Sequence, residues 1–173
     1  DGQQALEILE KLEIEALIYI GGNDSMDTAW KLSDYAKEHQ IDINILGIPK
    51  TIDMDIPITE RTIGFNTAVQ QLTSYCDQLL LTARSHHRWF VVQTMGRECG
   101  QLALHAGTAI AADAILIPEI KFDVNNLIKH IKQSKRDYGI IMVAEGISIR
   151  GHSGKPAEMI SRELTRGGIA NRA

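Results

Sequence analysis

The 173-residue chain lacks most of the features that settle a protein's class at a glance. No uninterrupted apolar run approaches the ~18 residues needed to cross a bilayer, and no signal-peptide pattern opens the sequence. Cysteine is scarce. Cys76 and Cys99 are the only two, without CxxC spacing, which excludes a zinc or disulfide framework and fits reduced thiols of a cytoplasmic protein. Positive charge is not in excess: the net charge is −4 with six neutral histidines, so neither a general nucleic-acid surface nor a membrane surface is expected. Internal repeats and low-complexity tracts are also missing. What remains, 44% hydrophobic and 23% charged residues, is globular composition for one ordinary domain or two small lobes. The chain begins at Asp1 inside an expected helix and ends at Ala173 with no closing element, so a piece of a longer polypeptide is expected.

Apolar spacing and turn residues divide the sequence. Leu6, Ile8, Leu9 and Leu12 predict a helix face over Gln3 to Leu12. Ala16 to Ile20 reads as a strand ending in the Gly21-Gly22 turn, and Asn23, Asp24 and Ser25 are candidate caps for a helix from about Met26 to Lys37. Ile43 to Leu46 reads as a buried parallel strand. Ala68, Val69, Leu72, Leu79, Leu80 and Ala83 predict a long helix from Asn66 to about Ala83. A strand from Trp89 to Val92 follows, then an Ala-rich helix from Leu102 to Ala112 and a short strand from Ala114 to Ile117. Asp123 is placed to cap a helix from Val124 to Lys135, Ile140 to Ala144 reads as the last strand, and His152 to Lys155 as a flexible connection to a helix near Ala157 to Leu164. About five strands alternating with helices imply an α/β protein with parallel sheets and right-handed βαβ crossovers. The expected division is into two lobes near Gly64-Phe65, residues 1–64 and 65–173.

One stretch stands out, Gly47-Ile48-Pro49-Lys50-Thr51-Ile52-Asp53-Met54-Asp55. A regular ladder should stop near Pro49, which has no N–H and a fixed φ. If the backbone beyond it is extended, Asp53 and Asp55 project to one side and Met54 to the other. A carboxylate pair with a lysine and a threonine has the ingredients of phosphoryl transfer: a proton acceptor, a group that orients a partner or a metal, and a cation for phosphate oxygens. On composition alone, a solvated loop whose aspartates cap the next element is the stronger reading. In open α/β sheets, however, ligands bind beyond the carboxyl ends of the strands. Here those ends read Gly21-Gly22-Asn23-Asp24-Ser25, Pro49-Lys50-Thr51-Ile52-Asp53, Met95-Gly96-Arg97 and Glu145-Gly146, which is more polar chemistry than packing requires.

Together these strand ends resemble the phosphofructokinase family. Gly-Gly-Asn-Asp-Ser is similar to its phosphoryl-donor loop and Pro-Lys-Thr-Ile-Asp-Met-Asp to its catalytic signature. Met95-Gly96-Arg97 with the following Ala-rich helix and Ile115-Leu116-Ile117-Pro118-Glu119 matches its substrate-lobe signature. The motifs recur in the family's order over almost the whole chain. The resemblance implies that Asp53 is the base for the 1-hydroxyl of fructose 6-phosphate and that Thr51 contacts the hydroxyl and the transferring group. It implies that Asp55 supports them and that Arg97 stabilises the phosphoryl oxygens. Met95 and Gly96 would contact the sugar, with backbone N–H groups at the following helix start favouring anions, and Glu145 would accept from sugar hydroxyls. Arg88 and Arg172 match arginines that reach the 6-phosphate across a subunit interface, which implies a homo-oligomer with shared active sites. The product would be fructose 1,6-bisphosphate, a step of glycolysis, with Mg2+ as cofactor.

Two positions bear on the donor. The family's ATP-using members usually carry glycine at the positions of Asp24 and Lys50, and its pyrophosphate-using members resemble this chain at both. A carboxylate at Asp24 would crowd and repel a nucleotide's α-phosphate, and Lys50 would add a cation for a small, highly charged donor. Pyrophosphate is therefore the expected donor, with ATP the alternative. A non-catalytic sugar-phosphate-binding half of a duplicated enzyme is the alternative of a different class. Asn23 stands where many members have a magnesium-binding aspartate, so any metal contact there is expected to be indirect. Met54 replaces a common asparagine and reads as a packing change. The family's upstream glycine-rich loop and downstream histidine segment are not in the sequence, so residues 1–173 alone are expected to be nearly inactive.

Other residues have plain readings. His86 and His87 fit a solvated turn better than a metal pair, Cys99 fits buried packing better than thiol chemistry, and the lysines from Lys121 to Lys135 fit a solvated face.

Overall fold

The computed structural model describes residues 2–149 and 154–173. Half of the expected connection from His152 to Lys155, His152 and Ser153, lies outside them. The chain forms two compact units, Asp1–Thr51 and Ile52–Ala173.

In the first unit, α1 (Gly2–Lys11), β1 (Ala16–Gly21), α2 (Asn23–Glu38) and β2 (Asn44–Thr51) follow one another. β1 and β2 are parallel, in register from Ala16↔Asn44 to Gly21↔Pro49. The ladder to β1 therefore does end at Pro49, as its missing N–H suggests, although β2 itself continues to Thr51. Leu6, Leu32 and Ala36 form the core of the unit, with Leu9, Leu17, Ile43 and Ile45 packed on it. One expectation is corrected here. α2 begins directly at Asn23, with Gly22 as the cap and no side-chain cap bond, so Asn23, Asp24 and Ser25 lie inside the first turn. The cause is close packing: a Cβ on Gly21 would sit 2.2 Å from Ser25 Oγ, so only glycine lets the helix start immediately beyond the strand.

The second unit holds β3 (Ile63–Gly64), α3 (Phe65–Ser85), β4 (Trp89–Thr94), α4 (Gln101–Ala109), β5 (Ala114–Leu116), α5 (Val124–Gln133), β6 (Gly139–Ala144), α6 (Pro156–Arg166) and β7 (Asn171–Arg172). Its parallel sheet has the order β5-β6-β4-β7. β6 is buried along its whole length, which explains its uninterrupted apolar sequence. The core runs through Ile140 to Ala144, Val91, Ala103, Ala106, Ile160 and Leu164. Asp123 caps α5 as expected, accepting from the Asn125 N–H at 3.0 Å.

The division falls after Thr51, not near Gly64-Phe65. Two hydrogen bonds order the intervening segment, the first within it and the second tying it to the rest of the second unit. The buried Thr62 hydroxyl donates to the Asp53 carbonyl at 2.9 Å, and the Cys99 thiol donates to the Met54 carbonyl at 3.3 Å.

Candidate active site

In the first unit the candidate residues share the carboxyl edge of the β1–β2 pair. Gly21 and Gly22 leave β1, and Lys50 and Thr51 close β2 beside them, with the Lys50 carbonyl 4.0 Å from where a Gly22 Cβ would stand. The N-terminus of α2 opens on this edge, where amide N–H groups and the helix dipole favour an anion. Asp24 is exposed in that first turn and Lys50 is exposed at the strand end. The edge therefore carries one fixed negative and one fixed positive side chain. The Oδ1 atom of Asn23 is buried, which does not suit direct contact with a hydrated metal ion. Among the described residues no three His, Cys, Asp or Glu side chains converge as a metal cage. Asn23 therefore does not present itself as a ligand of a resident ion.

In the second unit the paired ends Thr94↔Ala144 send Met95-Gly96-Arg97 and Glu145-Gly146 off the same edge. Glu145 Oε1 accepts the amide N–H of Gly96 at 2.9 Å and of Arg97 at 2.7 Å. Arg97 adopts φ 56, left-handed backbone that an arginine rarely takes, next to Gly96 at φ 137. Such a residue costs roughly 1–3 kcal/mol, and two bonds to a carboxylate contribute about 1.5 kcal/mol each at the lower end suited to a half-buried group, enough to hold the turn. The turn presents the exposed side chains of Met95 and Arg97. Next to it, the Gly100 N–H at the start of α4 donates to Glu119 Oε1 at 2.7 Å. The Gly96, Arg97 and Gly100 N–H groups are thus taken by carboxylates of the protein, and the last of these belongs to the helix start that the sequence reading offered to anions. Glu145 Oε1 is likewise engaged in building the turn, which limits it as an acceptor for sugar hydroxyls.

The segment with Asp53 and Asp55 packs on this turn through the Cys99–Met54 bond. Cys99 is thus half-buried and hydrogen-bonded, not simply packed. Burial pushes its thiol above the ordinary range; the carboxylates of Glu119, Asp55 and Asp53 add to this and a backbone bond from Gln101 opposes it. Cys76 is raised by burial and then by Asp77. A raised pKa leaves less thiolate at neutral pH, so both cysteines should react with iodoacetamide more slowly at pH 7.5 than a free cysteine peptide, accelerating above pH 9. Peptide mass spectrometry of timed samples checks this, and fast labelling of either residue at pH 7.5 contradicts it.

Arg88 and Arg172 are brought together, but elsewhere. Arg88 immediately precedes β4 and Arg172 pairs with Phe90, so both stand at the amino end of the strand whose carboxyl end leads to Arg97. At about 3.3 Å per residue the six residues of β4 separate these ends by roughly 20 Å. His86 and His87 lie in an exposed turn, where His87 Nδ1 meets Asp137 Oδ2 at 2.7 Å.

The family model for phosphofructokinase matches residues 1–172. The chain belongs to the phosphofructokinase family. It is 41% identical over 174 residues to the ATP-dependent 6-phosphofructokinase of Natranaerobius thermophilus, covering 98% of this chain and 50% of that one. It is 44% identical over 148 residues to the ATP-dependent 6-phosphofructokinase of Lactobacillus acidophilus, covering 84% and 44%. Among solved structures, the pyrophosphate-dependent phosphofructokinase of Nitrosospira multiformis matches with a TM-score of 0.85 at 26% identity, over 98% of this chain and 46% of that one. The Saccharomyces cerevisiae phosphofructokinase matches with a TM-score of 0.85 at 31% identity, over 99% and 26%. The chain spans about half the length of the curated relatives it matches. No helix among the described residues is long and apolar enough to cross a membrane.

Within this phosphofructokinase fold, sequence reasoning missed Thr62 and the bracing roles of Cys99 and Glu119, whose side chains hold backbone that carries the candidate residues. Their partners lie 9, 45 and 19 residues away, so no local spacing betrays them.

Proposed function

We propose that the full-length protein transfers a phosphoryl group from magnesium pyrophosphate to the 1-hydroxyl of fructose 6-phosphate, giving fructose 1,6-bisphosphate. The observation that carries this reading is the packing of the Asp53–Asp55 segment on the turn of Arg97 and Glu145. It ties the backbone between the two aspartates to the turn that carries Arg97, at the edge of a parallel sheet, where such ligands bind. Asp53 takes the hydroxyl proton as the oxygen attacks, Thr51 contacts the hydroxyl and the transferring group, and Asp55 supports both. Arg97 and Lys50 offset charge on the phosphoryl oxygens. Met95 and Gly96 line the sugar, and Glu145 acts chiefly by shaping the turn beneath them. Gly21, Gly22, Asn23, Asp24 and Ser25 form the donor loop, and magnesium enters with the donor.

Arg88 and Arg172 bind the 6-phosphate of a neighbouring subunit's substrate in a homo-oligomer with shared sites. Their position at the amino end of β4, roughly 20 Å from its carboxyl end, supports this, because one subunit cannot use both ends at one sugar phosphate.

Asp24 and Lys50 support pyrophosphate. ATP is the second reading, favoured by the curated relatives, which are named ATP-dependent. The double substitution Asp24→Gly with Lys50→Gly tests the donor assignment. It should lower kcat/KM for pyrophosphate by about 100-fold and raise the ATP-to-pyrophosphate ratio, since a repulsion and an attraction are both removed. An unchanged ratio would refute the roles of these two residues.

A further inference from the structure

We propose that Cys99 is a positioning residue for phosphoryl transfer, its thiol holding the Asp53–Asp55 segment in register with the turn that carries Arg97. The proposal rests on the reaction proposed above. Residues 53–55 belong to no helix or strand, so no ladder fixes their backbone. Two side chains do so instead. The Asp53 carbonyl accepts the hydroxyl of Thr62, which is 5% exposed, and the next carbonyl, that of Met54, accepts the Cys99 thiol. The Thr62 N–H also lies 3.4 Å from Met54 Sδ. The two donors thus hold the carbonyls of consecutive residues. Together they restrain both translation of the segment and rotation of the peptide that links Asp53 to Met54.

Cys99 is well suited to this because it cannot drift. Its N–H donates to the Gly96 carbonyl at 3.0 Å, Gly100 beside it is bound to Glu119, and Glu145 grips Gly96 and Arg97. A single braced turn thus carries both Arg97 and the thiol. Through the Met54 carbonyl, which lies between the two aspartates in sequence, it sets where their carboxylates point. A thiol is a weak donor, so the bond contributes little to overall stability. Its effect is geometric, and a misplacement of about 1 Å at a reacting group can cost on the order of 100-fold in rate. Only the protonated thiol can donate, and the carboxylates around it favour that form.

The test uses the full-length protein with Cys99→Ala, which removes the donor, and Cys99→Ser, which keeps one. For Cys99→Ala, kcat should fall about 10-fold while KM for fructose 6-phosphate stays within about 2-fold, and Cys99→Ser should recover to within about 3-fold of the unmodified protein. Amide hydrogen exchange at Met54 and Asp55 should quicken about 10-fold in Cys99→Ala and much less in Cys99→Ser. Equal kcat in the two variants, a loss confined to KM, or unchanged exchange would overturn the proposal. If the unmodified protein turns over no donor at all, the reaction itself is refuted, and the exchange comparison still decides whether Cys99 holds the segment.

Discussion

Asp53→Ala in the full-length protein is expected to lower kcat with fructose 6-phosphate by about 1,000- to 10,000-fold, with the Kd of the sugar phosphate changed less than about 3-fold. The carboxylate does little in the ground state, where the 1-hydroxyl is neutral. Its contribution grows as the oxygen attacks and the proton must leave, so removal costs rate rather than binding. Asp53→Asn separates the two parts of the effect, since it keeps shape and polarity but cannot accept the proton. It should be nearly as slow as alanine. Turnover within about 10-fold of the unmodified protein in either variant would remove Asp53 from the role of base. A fall in sugar affinity that accounts for the whole loss would do the same, because it would make Asp53 a binding residue.

The second large effect is expected at a residue with no functional side chain. A Cβ on Gly146 would stand 2.3 Å from the Arg97 carbonyl oxygen and 2.9 Å from Glu98 Cα, both backbone atoms that cannot swing aside. Gly146→Ala must therefore push the turn outward or pull β6 back. The turn is already strained at Arg97 and depends on Glu145, the residue next to Gly146. We expect a stability loss of about 1–3 kcal/mol by thermal or denaturant unfolding, as for overpacking elsewhere. In the protein that remains folded, kcat/KM should fall about 100-fold, because Arg97, and through Cys99 also Asp53, leave their positions. Folded protein with normal kcat/KM would mean that the turn does not set the geometry of the site.

These two residues also show how far the sequence could be read. Asp53 was legible because its neighbours form a dense, ordered motif at a strand end. Gly146 was legible only as a strand-end glycine, since the atoms that demand it belong to a turn 49 residues earlier in the chain. The same distinction runs through the fold. β6 and the capped start of α5 follow from local pattern, an apolar run and an aspartate before a periodic stretch. β3 and β7, two residues each, are too short for any period to register. The start of α2 depended on contact between Gly21 and Ser25, and the unit boundary on Cys99 reaching the Asp53 segment. The engagement of Glu145 with backbone amides likewise needed three dimensions, as did the separation of Arg88 and Arg172 from Arg97 along β4. Residue types announce chemistry; the partners that restrain them are long-range and leave no local trace.

The decisive measurement is turnover of fructose 6-phosphate by the full-length protein with magnesium, comparing pyrophosphate and ATP at equal concentration. Formation of fructose 1,6-bisphosphate with pyrophosphate, at a kcat/KM at least about 10-fold above that with ATP, is the predicted result. Preference for ATP would contradict the reading of Asp24 and Lys50 while leaving Asp53 and the fold in place, and no product with either donor would contradict the proposed reaction itself.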